Sequence, residues 1–466
     1  MLFSSLVFIY AFLPLVCLLY FAIPSIKVKN YILCIASIFF YAYGEPRFVW
    51  VMLGSIFMNY AFGLVIQWLK NKGKPAKIVL VLACIANITL LFVYKYLGFV
   101  SRVLENFGIG STLHILLPIG ISFFTFQAMS YVVDVYRGTV QAQKNPVYIG
   151  LYIAFFPQLI AGPIVRYNSI ATQIEYREHS LDNVRTGFMR FLLGLFKKVL
   201  LANQLAIVAD IAFNNTVQIS TLMAWLGLIA YALQIFFDFA GYSDMAIGLA
   251  RIFGFALEEN FLYPYISKSI SEFWRRWHIS LGIWFRDYLY FPLGGSQGKL
   301  PKTICNLAIV WLCTGIWHGA NFTFALWGLY YFIFIAIEKS LALPKTLPTR
   351  FAKNVYAVCS MFFVLLGWVL FRANNLSHAG QYYTALFGGT EIFGAREFGL
   401  LQSYAWVILL GLLFTRPIIP WLVSRCPEKL QRFAQLLQVP IYIALFITVT
   451  AMLVTGAYNP FIYFQF

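Results

Sequence analysis

The stretch TICNLAIVWLCTGIWHGANFTFALWGLYYFIFIAI, residues 303–337, consists of two long apolar runs around the short segment TGIWHGANF. One of only five histidines in the 466 residues, His318, lies in that segment between Trp317 and Gly319. Polar and ionisable groups are costly at membrane depth and usually mark a functional site. The pattern predicts membrane-embedded helices that hold an ionisable ring.

The composition excludes an ordinary soluble protein. The chain is 61% hydrophobic, 19% aromatic and 11% charged, whereas soluble domains carry about 25% charged residues. Apolar runs long enough to cross about 30 Å of hydrocarbon recur along the chain, and we count about eleven to thirteen such segments. The first, residues 2–23, lacks a basic start and a cleavage site, so we expect a retained helix. The fold class predicted is an all-α polytopic membrane protein.

The net charge of +17 is concentrated in short loops. Basic loops at alternate turns, including 24–30 and 416–432, follow the positive-inside pattern, so the charge does not indicate a nucleic-acid partner. If these loops are cytoplasmic, both termini are extracytoplasmic and the number of full crossings is even.

The pattern along the chain divides a single predicted domain, 1–466, into three parts. Residues 1–135 read as scaffold crossings at 4–23, 30–43, 47–69, 76–98 and 114–133. Residues 146–335 form a predicted catalytic core in which glycine, proline and charge interrupt the apolar runs. Residues 353–466 return to plain crossings and end in an extracytoplasmic tail. Interrupted helices are tolerated in a membrane where they line a watered cavity, so the core predicts a central polar funnel.

The segment 262–296 is too polar for a lipid-facing crossing. A helix beginning at Ser269 places Glu272, Arg275 and Arg276 on one side. Phe273, Trp274 and Trp277 add aromatic surface. We interpret the segment as a re-entrant or interfacial helix, with a solvated amphipathic loop as the alternative.

His318 is the first candidate for chemistry. Gly315 and Gly319 permit close approach of a ligand or another backbone, and Asn321 is placed to orient the ring or an oxyanion. An apolar site favours neutral imidazole, whose lone pair can act as a general base. The alternative is a core histidine with no function. His278 has basic neighbours, Arg275 and Arg276, which also disfavour its charged form.

Other polar residues are weaker candidates for a functional site. Asp238 and Asp244 lie in an apolar run and form either internal ion pairs or carboxylates of the chamber. GGSQG, residues 294–298, matches a nucleophile-elbow pattern but lacks its strand and helix, so we expect a turn. His114, His179 and His378 read as surface or capping residues. The seven cysteines show no metal-ligand spacing, so we expect neither a metal site nor a disulfide framework.

The motifs FWRRWHISLGIWFRDYLYFPLGG (273–295) and GIWHGAN (315–321) resemble the membrane-bound O-acyltransferase family. PQLIAGPIVRY (157–167), FFDFAGYSDMAIG (236–248) and NPFIYFQF (459–466) extend the resemblance over most of the chain. The branch it resembles O-acetylates alginate, peptidoglycan or cellulose outside the bacterial cytoplasmic (inner) membrane. The resemblance implies that His318 is catalytic, that His278 is the second characteristic histidine, and that Tyr463 accepts the acyl group transiently.

The resemblance also implies acetyl-CoA as cytoplasmic donor, a serine hydrolase-like O-acetyltransferase as extracytoplasmic partner, and a cell-wall or exopolysaccharide as final acceptor. We expect Arg275, Arg276 and Arg286, with Trp274, to hold the CoA phosphates, because guanidinium groups bind phosphate bidentately. Asn321 is the expected oxyanion donor. The expected funnel residues are Asp238, Asp244, Asp287 and Trp317.

Three alternatives stay open. A D-alanyl-exporting branch of the same family reads F-W-N-R-W-H-M-S-L, where this chain has Arg275–Arg276 and adds PLGG, residues 292–295. A transporter without covalent chemistry also contains broken helices, and a structural subunit of an export complex needs no catalytic histidine. One departure from the family is visible, because Tyr331 stands where many relatives have a second histidine after the catalytic one.

Overall fold

The computed structural model describes residues 1–215, 219–388, 391–393, 395–456 and 462, and it contains helices and no strands over these ranges. The helices of the first 180 residues include two π-helical segments, Phe8–Phe12 and Phe92–Tyr96. The α-helices there are Leu13–Phe21, Ile26–Gly44, Val49–Asn71, Lys77–Leu91, Leu97–Glu105, Ile121–Arg137, Pro146–Ala154, Phe156–Leu159 and Tyr167–Glu175.

The remaining helices include π-helical segments at Lys197–Ala202 and Arg286–Tyr290 and a 3₁₀ turn at Pro264–Ile266. The α-helices are Leu181–Phe196, Asn203–Phe213, Thr221–Ile252, Ile270–Arg276, Ile279–Phe285, Leu300–His318, Phe322–Ser340, Arg350–Arg372, Leu376–Gly388, Ala395–Phe414, Ile418–Arg425 and Glu428–Val454.

Ten helices in the described part of the chain are long and apolar enough to cross a membrane, and Phe8–Phe21 is a shorter apolar helix. The prediction of an all-α polytopic membrane protein is confirmed. Several boundaries differ: the crossing expected at 76–98 runs on to Glu105, and the one expected at 4–23 is the shorter helix Phe8–Phe21. The crossing expected at 114–133 is not among the ten: the helix there, Ile121–Arg137, begins only after Gly120, whose φ is 76°. Pro118 disfavours helix in the residue before it, and the left-handed glycine then starts the helix late.

The chain separates into two compact units. The first comprises Met1–Phe191 with Ser243–Glu259, and the second comprises Leu192–Tyr242 with Asn260–Phe466. The helices Leu181–Phe196 and Thr221–Ile252 each contribute to both units. The division of one domain into three consecutive parts stays a prediction.

In the second unit, Leu300–His318 and Phe322–Ser340 form a tight helical hairpin. Asn321 begins the second helix, because its side chain accepts the backbone N–H of Thr323. The two helices approach closely at Gly315 and Gly328, where a Cβ atom on either residue would lie within 3.2 Å of the other's backbone. Glycine is required there because any side chain would push the helices apart. The hairpin places His318 at the end of its first helix.

The segment 262–296 contains only short helices, and Ser269 begins the first α-helix, Ile270–Arg276, as predicted. The Ser269 hydroxyl oxygen accepts the N–H of Glu272, which satisfies one of the free donors of the first turn. The helix ends at Arg276, and a new one starts after His278, whose φ is 46°. The segment GGSQG follows as a turn and loop, as expected.

Candidate active site

His318 is buried, with 5% of its surface exposed, and is the last residue of Leu300–His318. Its Nδ1 atom lies 2.7 Å from the carbonyl oxygen of Thr314. A carbonyl oxygen only accepts, so Nδ1 carries the proton and donates it. The neutral ring therefore has its lone pair on Nε2. Gly319 directly after it ends the helix in extended backbone.

His278 also carries its proton on Nδ1, but the acceptor is a side-chain oxygen and not a backbone carbonyl. Its Nδ1 lies 3.3 Å from Oδ1 of Asn260, which also accepts the backbone N–H of Ser280 at 3.2 Å and its hydroxyl at 2.9 Å. The donors from Ser280 identify this atom as the amide oxygen, so His278 Nδ1 donates to it. The main-chain carbonyl of Asn260 accepts from Ile279 at 3.0 Å. Asn260 thereby holds the left-handed backbone of His278 as well as its ring.

Aromatic rings surround both imidazoles. The ring of Trp317 lies 5.0 Å from that of His318 and 6.2 Å from that of His278, centre to centre. Trp327 packs 4.9 Å from His318, and Phe239 packs 4.6 Å from His278. Burial, and secondly the neighbouring His318, lower the pKa of His278 well below its usual range. His278 is therefore neutral at physiological pH.

A cavity of about 280 Å³ in the second unit brings these residues together. Its lining includes five of the predicted site residues: Trp274, Arg275, His278, Arg286 and His318. The rest of its lining is mainly apolar and includes Trp311, Leu281 and Gly282, with the polar residues Ser271, Tyr290 and Thr314. The cavity thus combines two imidazoles and two guanidinium groups in a mainly apolar space.

Trp274 is one of the residues that line this cavity. Its indole N–H is buried and has no acceptor among the residues that the structure describes. The ring is fixed by Tyr331 at 4.8 Å, Trp311 at 5.2 Å and Trp327 at 5.3 Å. A buried N–H without a partner costs free energy, and the indole nitrogens of Trp327 and Trp368 are buried in the same way.

Several predicted residues form ion pairs instead of lining the cavity. Arg276 pairs with Glu272 at 2.8 Å, and Asp287 pairs with Arg286 at 2.7 Å. Asp238 pairs with Lys198 at 2.7 Å, and both side chains are buried. Asp244, in the first unit, pairs with Arg190 at 2.7 Å. For the two aspartates of the apolar run, the structure shows the ion-pair alternative.

Asn321, the expected oxyanion donor, is engaged elsewhere. Its amide oxygen accepts from Thr323 at 3.2 Å, and its amide N–H donates to the carbonyl of Asn374 at 2.6 Å. Trp317 contacts both histidines but is not among the lining residues of the cavity. Tyr331 is fully buried, and its hydroxyl donates to the carbonyl of Val364 at 3.1 Å. Tyr463 lies outside the described residues.

Sequence reasoning missed Thr314, Asn260 and Trp311. The contact between Thr314 and His318 could have been predicted from the sequence, because Thr314 lies one helical turn before His318. Asn260 is eighteen residues from His278, and no spacing rule connects them. His378 is a capping residue as expected, since its Nδ1 accepts the N–H of Asn374. Among the described residues, no group of three or more His, Cys, Asp and Glu is placed to hold a metal ion.

Comparison with known proteins adds an independent observation. The sequence profile of the membrane-bound O-acyltransferase family matches residues 35–378. A probable alginate O-acetylase of Pseudomonas putida is 39% identical over the full length of both chains. A peptidoglycan O-acetyltransferase of Helicobacter pylori is 36% identical over 81% of this chain and 78% of its own. A teichoic acid D-alanyltransferase of Bacillus subtilis is 30% identical over 64% of this chain and 78% of its own.

Proposed function

Because the chain belongs to the membrane-bound O-acyltransferase family, we propose that it transfers acetyl from cytoplasmic acetyl-CoA to an acceptor on the far side of the bacterial inner membrane. The final acceptor is a hydroxyl of a cell-envelope polysaccharide, as the names of its alginate- and peptidoglycan-acetylating relatives support. In this orientation both termini are extracytoplasmic, as the basic loops favour.

The cavity that contains both His278 and His318 is the observation that carries this function. An acyl transfer needs a base at the acceptor hydroxyl, and Nε2 of His318 has the lone pair for it because Nδ1 donates to Thr314. His278, neutral and in the same cavity, is the second imidazole available to the reacting groups.

The reaction is a thioester-to-ester exchange. The acceptor oxygen attacks the acetyl carbonyl, a C–O bond forms and the C–S bond breaks. The hydroxyl proton passes to Nε2 of His318 and from there to the leaving CoA thiolate. We assign the indole N–H of Trp274 to the carbonyl oxygen, in place of Asn321, because its donor is buried and lacks an acceptor.

Arg275 and Arg286 are the CoA-binding residues of this mechanism. Both line the cavity, and guanidinium groups bind phosphate through paired hydrogen bonds. Pockets that enclose drug-sized ligands have volumes of about 300–1,000 Å³. At about 280 Å³, the cavity has room for the thioester end of the donor, with the adenosine outside it.

The cavity favours acetyl over D-alanyl as the transferred group. A D-alanyl thioester carries an ammonium group, which needs a negative partner when it leaves water. None of the described lining residues is an aspartate or glutamate, whereas two are arginines, of which Arg286 pairs with Asp287. An uncharged acetyl group meets no such cost.

The C-terminal tail supplies the acceptor in our mechanism. The backbone N–H of Ile462, the residue before Tyr463, donates to Oδ2 of Asp238 at 2.9 Å, and Ile462 is 4% exposed. Lys198 pairs with the same carboxylate. This attachment supports a role for Tyr463 as transient acyl acceptor, from which an extracytoplasmic serine hydrolase-like O-acetyltransferase takes the acetyl group.

The test is transfer of radiolabelled acetyl from acetyl-CoA by the purified full chain in lipid nanodiscs. We expect label on the protein or on an added acceptor. The His318→Ala variant should lose about 10²–10⁴-fold of the transfer rate, the usual contribution of a general base. His114→Ala, at an exposed loop histidine, is the matched control and should transfer normally.

The alternatives predict other results. A transporter would bind or move a substrate without forming an acetylated product, and a structural subunit would be indifferent to His318→Ala. Absence of covalent label from the wild type, or equal label in His318→Ala, contradicts the acyltransferase mechanism proposed for this site.

A further inference from the structure

A second cluster of charge lies in the first unit, among residues that the acyl-transfer mechanism does not use. Lys29 and Arg177 are 7% and 6% exposed. The Lys29 ammonium lies 4.9 Å from the centre of the Tyr20 ring, and the Arg177 guanidinium lies 4.3 Å from the centre of the Phe255 ring. His179 contacts the Tyr20 hydroxyl at 2.7 Å. The Arg177 guanidinium also lies 5.7 Å from the centre of the Tyr20 ring, so both buried cations contact the same ring.

Arg177 is only partly satisfied. Its Nε donates to the Tyr20 hydroxyl and to the carbonyl of Phe253, both at 3.0 Å. Its Nη1 donates to the carbonyls of Gln173 and Ile174 at 3.2 and 3.3 Å, at the end of Tyr167–Glu175. Its Nη2 is buried without a partner among the described residues. The arginine thus caps a helix and still has an unused donor edge.

No carboxylate neutralises these cations in the described part of the chain. The ammonium of Lys29 contacts the rings of Tyr20 and Phe21, and no described acidic side chain pairs with it or with Arg177. A helix C-terminus contributes only about half a negative charge. Burial, then Lys29 and Arg177, lower the pKa of His179 to about 4. A local positive potential therefore persists, and buried charges are stable only when paired.

The cluster lies where membrane-embedded helices end. Tyr20 is next to the last residue of Leu13–Phe21, and Lys29 is in the first turn of Ile26–Gly44. Phe253 directly follows Thr221–Ile252. Helix ends lie at the level of the lipid headgroups, where phosphate is the abundant anion and attracts basic side chains.

We propose that Lys29 and the free edge of Arg177 bind a phosphate group, supplied by an anionic phospholipid headgroup or by phosphate in solution. The ammonium and guanidinium provide charge-assisted hydrogen bonds to its oxygens. The aromatic faces of Tyr20, Phe21 and Phe255 hold the two cations in place when the group binds. This site is independent of the acyl-transfer cavity, which lies in the other unit.

The experiment measures the apparent melting temperature of the purified full chain in three arms. One arm uses phosphatidylcholine nanodiscs, the second adds phosphatidylglycerol, and the third adds inorganic phosphate to the first. A ligand that binds the folded state raises the melting temperature with its concentration. Lys29→Gln removes one charge-assisted contact and should weaken the response roughly tenfold or more in apparent Kd. Lys29→Arg should retain it.

Lys27→Gln is the matched control, because Lys27 is exposed on the same helix and carries the same charge. Stabilisation by phosphatidylglycerol alone identifies a lipid headgroup, and stabilisation by inorganic phosphate as well identifies a site open to free phosphate. No stabilisation in either arm overturns the proposal. If Lys29→Gln and Lys27→Gln lose the same amount of stabilisation by the added ligand, the proposal is also overturned, since equal losses indicate a general surface effect.

Discussion

The Nδ1 atom of His318 donates to the carbonyl of Thr314, 2.7 Å away and one helical turn earlier. The helix itself therefore sets the tautomer of His318, because the acceptor is a main-chain atom that no side-chain substitution removes. His278 depends instead on a side chain, Asn260. A substitution at Asn260 can therefore change the tautomer of His278, whereas no side-chain substitution removes the acceptor that sets the tautomer of His318.

Asn260→Asp should move the acid limb of the pH–activity profile to higher pH. In the wild type, burial and His318 lower the pKa of His278 below its ordinary value of about 6.5, so a step that needs neutral His278 is lost only below that value. A carboxylate at position 260 favours the imidazolium and raises that pKa. The imidazole is then protonated as the pH falls through a higher range. The measurement is kcat/KM for acetyl transfer between pH 5 and 8.

Ser280→Ala is the control for Asn260→Asp. It removes one hydrogen bond to the Asn260 amide oxygen but leaves the contact from His278. We expect an unchanged pH profile in Ser280→Ala. An acid limb that is the same in Asn260→Asp and the wild type contradicts the role of Asn260.

Arg275→Gln should raise the KM for acetyl-CoA about 10- to 150-fold with little change in kcat. The guanidinium lines the cavity, and loss of a charge-assisted contact to phosphate weakens binding by roughly 1.5–3 kcal/mol. Arg276→Gln is the neighbouring control, because Arg276 pairs with Glu272. Steady-state kinetics distinguish the two. An equal rise of KM in both variants contradicts a specific phosphate contact at Arg275.

Trp274→Phe should lower kcat about 10²-fold and leave the KM largely unchanged. The substitution keeps an aromatic ring against Tyr331 and Trp311 but removes the indole N–H. Removal of one oxyanion donor typically costs about 10²–10³ in kcat. Single-turnover transfer checks the effect, and Trp421→Phe at a half-exposed tryptophan is the control. Normal kcat in Trp274→Phe excludes the oxyanion role.

Tyr463→Phe should abolish covalent labelling of the chain by acetyl-CoA while CoA binding persists. The phenol oxygen is the proposed acceptor, and phenylalanine lacks it. Tyr458→Phe, five residues earlier in the same tail, is the control and should be labelled normally. Mass spectrometry of tryptic peptides locates the label. Full labelling of the Tyr463→Phe chain contradicts the relay but leaves the His318 mechanism standing.

Gly315→Ala should lower the free energy of unfolding by about 1–3 kcal/mol, the usual cost of overpacking. The added methyl group meets the backbone of Gly328 and the carbonyl of Phe324 across the hairpin. Gly54→Ala is the control, because a Cβ atom there meets no atom within 4 Å, and alanine favours helix over glycine. Melting in detergent compares the two. Equal melting temperatures contradict the tight hairpin.

Local features of the chain predicted much of the molecule. Ser269 was placed correctly at a helix start, because the capping interaction needs only residues three apart. The start of Ile121–Arg137 was predicted too early, at residue 114. The residues before Ile121 are mostly apolar but are not helical. Trp274, Arg275, His278, Arg286 and His318 were chosen from the sequence and line one cavity.

The sequence by itself determined that the chain is helical and embedded in a membrane, because composition and run length act over one helix at a time. It also made His318 a candidate for the proposed chemistry, since an ionisable ring among apolar residues is visible without a fold. Only the tertiary structure separated Arg275, at the cavity, from its neighbour Arg276, which pairs with Glu272. It alone paired His278 with Asn260 and Asp238 with Lys198. Such partners are distant along the chain, and packing between helices decides which groups share a buried space.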